Sequence, residues 1–394
     1  MNTKASSPIP EAAASGGHRT RVYLGLLTAA LACLLVMLAY LLWAGRHQAV
    51  QAAEVSTRNL VLAMESRVHG DFERASAVLD FIVAEVLPEQ MQQSAVATNN
   101  ATQSARMAGL LEKFPQVAVT NLFDAQGDLL YSSSPATPRF NITDRAYFNP
   151  LRDDPKAGII FTEALISRST GHWALGLVRA VRDGSGRFIG VATLLINLDE
   201  YAGLFGGIDV GPGGVTLIRR SDDSKLLLRY PLPPGGEKNF NQPLPMNNPI
   251  RQRIDAGEAV ATLTYTASTD GIERIASFRK LVGYPFYVQV AMAENHYLAA
   301  WRLQAANAGG LAALLVLIFG FAINHFARLG TQADSNARQL AHREALFSAL
   351  FQQSSFLAGI LDSNDRLQEV NDRALAATLT HEPRPPDGAR VWRR

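Results

Sequence analysis

The chain has 394 residues, of which 47% are hydrophobic and 18% charged, so it has room for two or three domains and is too apolar to be a disordered polypeptide. Its formal net charge of +2 gives no electrostatic basis for binding nucleic acid. The single cysteine, Cys33, excludes an intrachain disulfide, so any folded domain depends on its core for stability.

Two apolar segments are long enough to cross a lipid bilayer. Residues 22–44 carry no formal charge and, at about 1.5 Å per helical residue, span roughly 30 Å of hydrocarbon. Residues 304–327 contain the second segment. A cleaved signal peptide is the alternative for the first, although its apolar part exceeds the roughly 7–15 residues usual there. A buried core helix is the alternative for the second. The sequence therefore predicts a two-span membrane protein.

Basic residues predict the orientation of the two spans. Those that flank the spans are Lys4, Arg19 and Arg21 before the first, Arg46 and Arg58 after it, Arg302 before the second, and Arg328, Arg338 and Arg343 after it. Because positive charge accumulates on the cytoplasmic side, we expect both termini inside and residues 45–303 outside. Residues 1–21 form a polar tail, which we expect to be unfolded.

The outer segment begins with helix-forming residues. A helix predicted over 48–87 ends before Pro88, and a second, over 101–113, ends before Pro115. A distal unit of about residues 115–200 follows. Its predicted elements are strands at 117–123 and 128–133, a short helix that carries Asp144, and strands at 158–167, 173–182 and 187–197. The last two strands flank an Asp-Gly-Ser-Gly turn, which is typical of a hairpin.

The same order of elements recurs in a proximal unit of about residues 208–294. Its predicted elements are strands at 215–219 and 225–230, a helix at 248–255, and strands at 260–267, 271–281 and 286–293. The sequence therefore predicts an α+β fold in which two stacked units of antiparallel strands share one long N-terminal helix.

The residues after the second span continue the helix and then begin a third unit. Residues 328–348 follow an imperfect heptad pattern, which predicts either a short parallel coiled coil or an ordinary linker helix; its positions are Leu329, Ala333, Asn336, Leu340, Arg343, Phe347 and Leu350. Residues 349–394 contain predicted strands at 356–361 and 367–370 around a turn at 362–365, then a helix at 371–380. Because two strands do not complete a five-stranded sheet, we expect a fragment or a natural truncation, with the output module beyond residue 394.

Several motifs in the outer segment resemble a known family. They are D-R-x-Y-F at 144–148, S-R-x-T-G-x-W at 167–173, Arg179, D-G-S-G-x-F-x-G-V at 183–191 and N-L-D at 197–199. The segment resembles the double Cache sensor domains of bacterial transmembrane receptors, of the type found on diguanylate cyclases and sensor histidine kinases. The runs FQQSSFLAGILD at 351–362 and VNDRAL at 370–375 are similar to the start of a PAS domain. The resemblance implies two PAS-like antiparallel sheets in the periplasm and an incomplete PAS unit inside the bacterial inner membrane.

The resemblance also implies a ligand site on the distal sheet, under the helical connection. The residues that it implies are Arg145, Tyr147 and Phe148 from the helix, Arg168, Trp173 and Arg179 from the strands, and Asp199 at the floor. A small carboxylate or zwitterion fits these residues, because arginine binds a carboxylate through two parallel hydrogen bonds and aromatic walls exclude water. Asp199 would then contact a ligand amine.

Each of these residues also has a structural interpretation. Asp144 and Asp199 are suited to the first turn or the N-cap of a helix. Phe148 and Trp173 are suited to the core. Arg168 and Arg179 are suited to solvated strand edges or to ion pairs, for which the sequence offers Asp153, Asp154 and Glu163.

The sequence shows no set of catalytic or metal-binding residues. It has no phosphate-binding loop, no H-E-x-x-H and no G-x-S-x-G, so we expect no cofactor, no metal and no enzyme activity in these residues. We predict a homodimeric receptor that senses a small extracytoplasmic molecule and signals to a diguanylate cyclase or a histidine kinase. The alternatives are a chemoreceptor and a membrane-anchored binding protein with no output. A membrane enzyme would need a clustered nucleophile and base, which we do not find.

Overall fold

The computed structural model describes residues 15–362 and 367–380. The helices are α1 (Ser15–Glu85), a 3₁₀ turn (Pro88–Met91), α2 (Gln93–Leu111), α3 (Phe148–Asp153), α4 (Leu198–Gly203), α5 (Pro249–Asp255), α6 (Glu294–Tyr297), α7 (Ala299–Gln353) and α8 (Asp372–Thr380), with two further 3₁₀ turns at Leu204–Gly207 and Gly236–Asn239. The chain divides into two compact units, Leu42–Gln304 and the two ends that flank it.

Twelve strands complete the described structure. They are β1 (Val117–Asp124), β2 (Leu129–Ser132), β3 (Ile160–Ile166), β4 (Trp173–Arg182), β5 (Phe188–Asn197), β6 (Val215–Arg220), β7 (Leu226–Tyr230), β8 (Val260–Thr266), β9 (Glu273–Lys280), β10 (Phe286–Ala293), β11 (Gly359–Leu361) and β12 (Leu367–Val370). The distal sheet has the order β2-β1-β5-β4-β3, and the proximal sheet repeats it as β7-β6-β10-β9-β8. Every neighbouring pair is antiparallel, which confirms two antiparallel sheets on a long N-terminal helix.

The helix α1 is continuous over 71 residues and joins two elements that the sequence predicts separately. It contains the apolar run 22–44 and most of the predicted helix 48–87, and it ends before Leu87, whose extended backbone (φ −84°, ψ 142°) is the conformation that the following proline favours. Residues 15–20 of the predicted unfolded tail are helical, because an apolar helix extends cooperatively into its flank. Residues 1–14 lie outside the described part of the chain.

The second long helix, α7, contains the other apolar run and the predicted linker. It runs unbroken for 55 residues, so residues 304–327 and 328–348 belong to one helix. Both α1 and α7 include a stretch long and apolar enough to cross a membrane. The heptad positions of residues 329–350 lie on α7, and the coiled coil stays a prediction.

One face of α1 forms the centre of the core of Leu42–Gln304. Its buried residues recur every three or four positions, which is the spacing of a single helix face: Val61, Met64, Val68, Phe72, Ala75, Leu79 and Ile82. They belong to the same hydrophobic cluster as Leu175 of the distal sheet and Ile218 of the proximal sheet. Burying each of these side chains other than Ala75 stabilises the fold by about 1.5–3 kcal/mol, so one helix face supports both sheets.

Two hairpin turns of the distal sheet use the same local chemistry. The Asp183 carboxylate accepts the backbone N–H groups of Ser185 and Arg187, both at 3.0 Å, and the chain reverses through Gly186 at φ +83°. Asp124 does the same for Gln126 at 3.0 Å and Asp128 at 2.8 Å. An aspartate followed by a glycine with positive φ is therefore the local signal that fixes these hairpins.

Two predicted helices have different limits in the structure. The helix predicted to carry Asp144 begins only at Phe148, because the Asn141 carboxamide accepts the backbone N–H of Thr143 at 2.8 Å and holds the residues that follow in turns. The helix α2 begins at Gln93, eight residues earlier than predicted. The prediction missed this start because the first two turns are mostly polar and do not show apolar residues at helical spacing. The strands β4 and β10 have the predicted ends.

The residues beyond α7 form a two-stranded hairpin and a helix. Strands β11 and β12 pair antiparallel, and the Asn371 carboxamide accepts the backbone N–H of Ala374 at 3.0 Å and so caps α8. Asn371 Nδ2 donates to Phe356 O at 2.8 Å. Residues 363–365 of the predicted turn, and the residues after 380, lie outside the described part of the chain, and the PAS assignment stays a prediction.

Phe72 lies where α1 meets both sheets. Its ring centroid is 5.4 Å from Phe161 of the distal sheet and 5.5 Å from Phe286 of the proximal sheet, with Tyr284 at 5.6 Å. The neighbouring Asp71 is also buried, and its carboxylate accepts the Tyr201 hydroxyl at 3.3 Å. This contact ties α4 to α1 beside the aromatic cluster.

We predict that Phe72→Ala destabilises both sheets together, because the cavity it leaves borders each of them. The expected loss is about 3–5 kcal/mol, or roughly 6–20 °C in Tm at about 2–4 °C per kcal/mol. Thermal unfolding of the full chain in lipid nanodiscs measures it. The control is Val282→Ala, because Val282 is 79% exposed, and an equal loss in both variants would contradict the assignment.

Candidate functional site

The two faces of the distal sheet have different neighbours, because successive residues of a strand point to opposite sides. On β4, Leu175 and Leu177 pack into the cluster that contains the buried face of α1. Val178 and Ala180, on the other face, pack against Phe148 of α3. The face away from α1 is therefore the one that residues 141–153 cover.

A small inner cavity of about 20 Å³ lies on that face. Asn121 and Thr193 line it from the centre of the sheet, Ser169 from the β3–β4 loop, and Arg145 and Tyr147 from the turn before α3. Asn121 Nδ2 donates to Ser169 Oγ at 3.1 Å, whereas the buried Oδ1 of Asn121 has no hydrogen-bond partner among the residues described. The cavity has room for about one water-sized group. The Oδ1 of Asn121 offers an unpaired acceptor to a group bound there.

A larger outer cavity of about 470 Å³ adjoins the first along β3. It is lined by Ala146, Pro150, the residues of β3 from Ile160 to Leu165, and Arg220, Asp222 and Asp223 of the β6–β7 hairpin, together with Arg145 and Tyr147. Arg145 and Tyr147 thus border both cavities. Its volume is within the range of small-molecule sites, roughly 300–1,000 Å³.

The charged groups around the outer cavity are paired, with the exception of Arg145. Glu163 accepts Lys225 Nζ at 2.6 Å, and Asp222 accepts Arg220 Nη2 at 2.6 Å. Arg145 is half-buried and its Nη2 donates to the backbone oxygen of Ile166 at 3.1 Å. Within residues 15–362 and 367–380 no carboxylate lies within ion-pairing distance of Arg145. Its positive charge is therefore available to an anionic ligand.

Tyr147 supplies a neutral donor beside that charge. Burial raises the pKa of Tyr147 to about 12, so its hydroxyl stays protonated at neutral pH. A protonated phenol and a guanidinium that border the same two cavities form the donor set that a carboxylate requires.

Arg168 borders the inner cavity and is already paired. Its guanidinium contacts Asp144 through two parallel hydrogen bonds, Nη1–Oδ1 at 2.9 Å and Nη2–Oδ2 at 2.5 Å. The same Nη1 donates to Asn141 O at 2.5 Å. Its hydrogen bonds to Asp144 lower the pKa of that carboxyl and raise the pKa of Arg168. The pair thus closes the turn over the inner cavity.

Four predicted site residues border neither cavity. Phe148 is 1% exposed and packs edge-on against Phe188, with ring centroids 5.9 Å apart. Trp173 packs against Phe240 at 5.1 Å, and Arg179 forms an ion pair with Asp80 of α1. Asp199 is exposed in the first turn of α4. Of the seven predicted residues, the structure brings Arg145, Tyr147 and Arg168 together.

The structure also differs from the predicted helix caps and ion pairs of the acidic and basic residues. The N-cap of α4 is Asn197, whose Oδ1 accepts Asp199 N at 3.0 Å, so Asp199 does not cap that helix. Asp144 does not lie in a first helical turn. The ion-pair partners of Arg168 and Arg179 are Asp144 and Asp80 rather than Asp153, Asp154 or Glu163.

Sequence reasoning missed the residues that strands and a second hairpin contribute. Asn121 and Thr193 are polar residues inside otherwise mostly apolar strands. A polar residue in such a strand is the sequence signal that could have indicated a cavity at this position. Arg220 and Asp222 come from the β6–β7 hairpin, and no local pattern places that hairpin beside β3.

Comparisons with known proteins identify the fold of Leu42–Gln304. No family model matches the chain, and no curated protein sequence matches it. The extracellular domain of rpHK1S-Z16, a provisionally assigned histidine kinase, is 24% identical, with 64% of this chain and 99% of that chain covered and a TM-score of 0.54. The periplasmic sensory domain of the Campylobacter jejuni chemoreceptor Tlp1 is 11% identical, with 64% and 98% covered and a TM-score of 0.51. Residues Leu42–Gln304 therefore have a fold that is also found in sensory domains.

We predict that Asp144 titrates below its ordinary value of 3.8, because Arg168 donates to it. A depressed folded-state pKa means that the pair contributes stability above pH 3.8 and that this contribution is lost as the pH falls through the lowered pKa. Carboxyl ¹³C NMR measures the titration. Arg168→Gln should return the pKa of Asp144 towards 3.8, and the matched control Arg179→Gln should leave it lowered. An unchanged pKa in Arg168→Gln would contradict the pairing.

Proposed function

We propose that this chain is a transmembrane sensor whose outer domain binds a small carboxylate-bearing molecule at the distal sheet. The observation that carries the proposal is Arg145, an arginine that has no ion-pair partner among the described residues and that borders two adjoining cavities together with Tyr147. The fold shared with sensory domains supports the same conclusion.

The residues around the cavities suit recognition of a ligand better than chemistry. Arg145 binds the ligand carboxylate, Tyr147 donates to it, and the polar groups of Asn121 and Thr193 receive a polar atom that enters the inner cavity. The wall of β3 supplies apolar contact through Ile160 and Leu165. No catalytic role is proposed for any residue of this chain, and its signalling output is proposed to be a separate diguanylate cyclase or histidine kinase module.

Signalling follows from different ligand affinities of two helix arrangements. A ligand shifts such an equilibrium only by the difference between its affinities for the two states. The distal site is on the sheet that packs on α1, and the proximal sheet leads through β10 and α6 directly into α7. We propose that α7 carries the change inward in a homodimer paired along residues 328–348.

The proposed topology places residues 45–303 in the periplasm and both termini in the cytoplasm. The two apolar stretches of α1 and α7 support it, together with the likeness to an extracellular and a periplasmic domain. The inner membrane of a bacterium is the proposed location.

We predict that labelling with a membrane-impermeant maleimide follows this topology. In a Cys33→Ser background, Ser185→Cys in the β4–β5 turn should react in intact spheroplasts. Ser335→Cys on α7, which is also exposed, should react only after permeabilisation. The matched pair differs only in position, and the reverse pattern would contradict the orientation.

We predict that at least one of succinate, L-malate, L-glutamate and L-leucine, each of which is larger than lactate, raises the Tm of the full chain in nanodiscs. At a concentration of about 100 Kd the expected stabilisation is roughly 2.7 kcal/mol, or about 5–10 °C at about 2–4 °C per kcal/mol. Arg145→Gln should remove the shift because it removes the unpaired charge. Arg179→Gln is the matched control, because Arg179 lies on the opposite face of the sheet and binds Asp80.

The two variants distinguish ligand binding at Arg145 from binding elsewhere and from a general effect on stability. A shift that persists in Arg145→Gln would show that the ligand binds elsewhere, and a shift lost in both variants would indicate a general effect of removing an arginine. No shift with any of the four compounds would contradict the carboxylate class.

A further inference from the structure

The proximal sheet carries a cavity of its own, of about 80 Å³, that the distal site does not explain. Alternate residues of β6, namely Val215, Leu217 and Arg219, form its floor. The loop between β7 and α5, from Asn239 to Asn248, and the first turn of α5 line it from the other side. It therefore lies between a sheet and a helical connection, the position that the inner cavity occupies in the distal unit.

Arg219 brings a positive charge into this cavity without an ion pair. Its side chain is 7% exposed, and its Nη1 donates to the backbone oxygens of Ser224 at 2.8 Å and Gln242 at 3.3 Å. No carboxylate of the described residues lies within ion-pairing distance of it. Burial accordingly lowers the pKa of Arg219. A buried charge that lacks a counterion destabilises the fold, and an anion in the cavity would offset this cost.

Two more arginines on the same walls share one carboxylate. Arg274 contacts Asp270 through two hydrogen bonds of 2.8 Å, and Arg229 Nη2 contacts the same carboxylate at 3.3 Å. These contacts lower the pKa of Asp270 to about 2, so it is ionised at neutral pH. Three guanidinium groups with one carboxylate leave a surplus of two positive charges. Arg229 Nε is also buried without a hydrogen-bond partner in the described part of the chain.

A neutral donor and an apolar wall complete the lining. Gln289 Nε2 donates to the Tyr265 hydroxyl at 3.0 Å, which leaves the hydroxyl proton to donate to a further group. Burial raises the pKa of Tyr265, so that proton is retained at neutral pH. Leu217 and Leu226 line the same space. The combination fits a carboxylate with a short apolar tail better than an inorganic anion, because apolar walls do not replace the water that an inorganic anion loses.

We propose that the proximal unit holds a second ligand site, which binds a small organic monocarboxylate with its carboxylate on Arg219 and its apolar end against Leu217 and Leu226. The volume accommodates a few water-sized groups, so the ligand has about four to six non-hydrogen atoms. The site is separate from the distal one and does not depend on it. It lies in the unit from which β10 leads into α6 and α7.

The test is titration of the full chain in nanodiscs with sodium propionate against sodium chloride at equal ionic strength, followed by Tm and by calorimetry. Wild type and Arg145→Gln should both bind propionate, whereas Arg219→Gln in the Arg145→Gln background should bind at least about tenfold more weakly, which corresponds to ~1.4 kcal/mol. Arg253→Gln is the matched control, because this arginine of α5 is 55% exposed and pairs with Glu258. It should bind as wild type does. Tyr265→Phe removes one hydroxyl and should also weaken binding, which keeps the test decisive if Arg219→Gln fails to fold.

Three results would overturn the proposal. One is propionate binding that is lost in Arg145→Gln and kept in Arg219→Gln, which would assign the ligand to the distal site. Another is the absence of binding by wild type at about 10 mM, a concentration that fills roughly nine-tenths of a site with a Kd of about 1 mM. The last is binding of inorganic phosphate in place of propionate, since the proposed site requires an apolar end on its ligand. A failed distal site with a working proximal site would leave this proposal standing.

Discussion

The burial of a single apolar face of α1 is the contact on which the fold of Leu42–Gln304 depends. Phe72 and its neighbours on that face belong to one hydrophobic cluster with residues of both sheets. Because interiors are close-packed, a displacement of one sheet against this face is felt by the other. This shared core gives the two units a physical connection that their strand order alone does not provide. It also explains why the inner cavity lies on the opposite face of the distal sheet, where residues are not required for packing on α1.

The sequence predicts strands and hairpins well where a local rule specifies them. Strand β4 has the predicted ends because its apolar run is followed by the Asp183 turn, whose carboxylate accepts the backbone N–H groups of Ser185 and Arg187. The prediction that a helix carries Asp144 was wrong, because the Asn141 side chain competes for the backbone N–H groups that a helix would order. The start of α2 was missed because tertiary contacts of Val96 and Met107, rather than an apolar period, hold it in place.

The predicted residues that border the cavities are those in the connections between strands, and the predicted residues within strand β4 do not border them. Arg145, Tyr147 and Arg168 lie in two connections that meet at one end of the distal sheet. Trp173 and Arg179 are an even number of positions apart on β4, so alternation places them on one face, the same as Leu177. Periodicity does not say which face meets α1, and the structure places Trp173 and Arg179 on that face. The proximal arginines carry no local signal at all, because Arg219 and Arg274 are distant in sequence and meet across the sheet.

Native-state hydrogen exchange of the full chain in nanodiscs, followed as denaturant is added, tests the shared core most directly. If one face of α1 supports both sheets, the amides of β5, of β10 and of α1 between Val61 and Ile82 should merge into one opening reaction with the same free energy and the same denaturant dependence. Exchange of β5 through an opening that leaves β10 and this part of α1 protected would contradict the account.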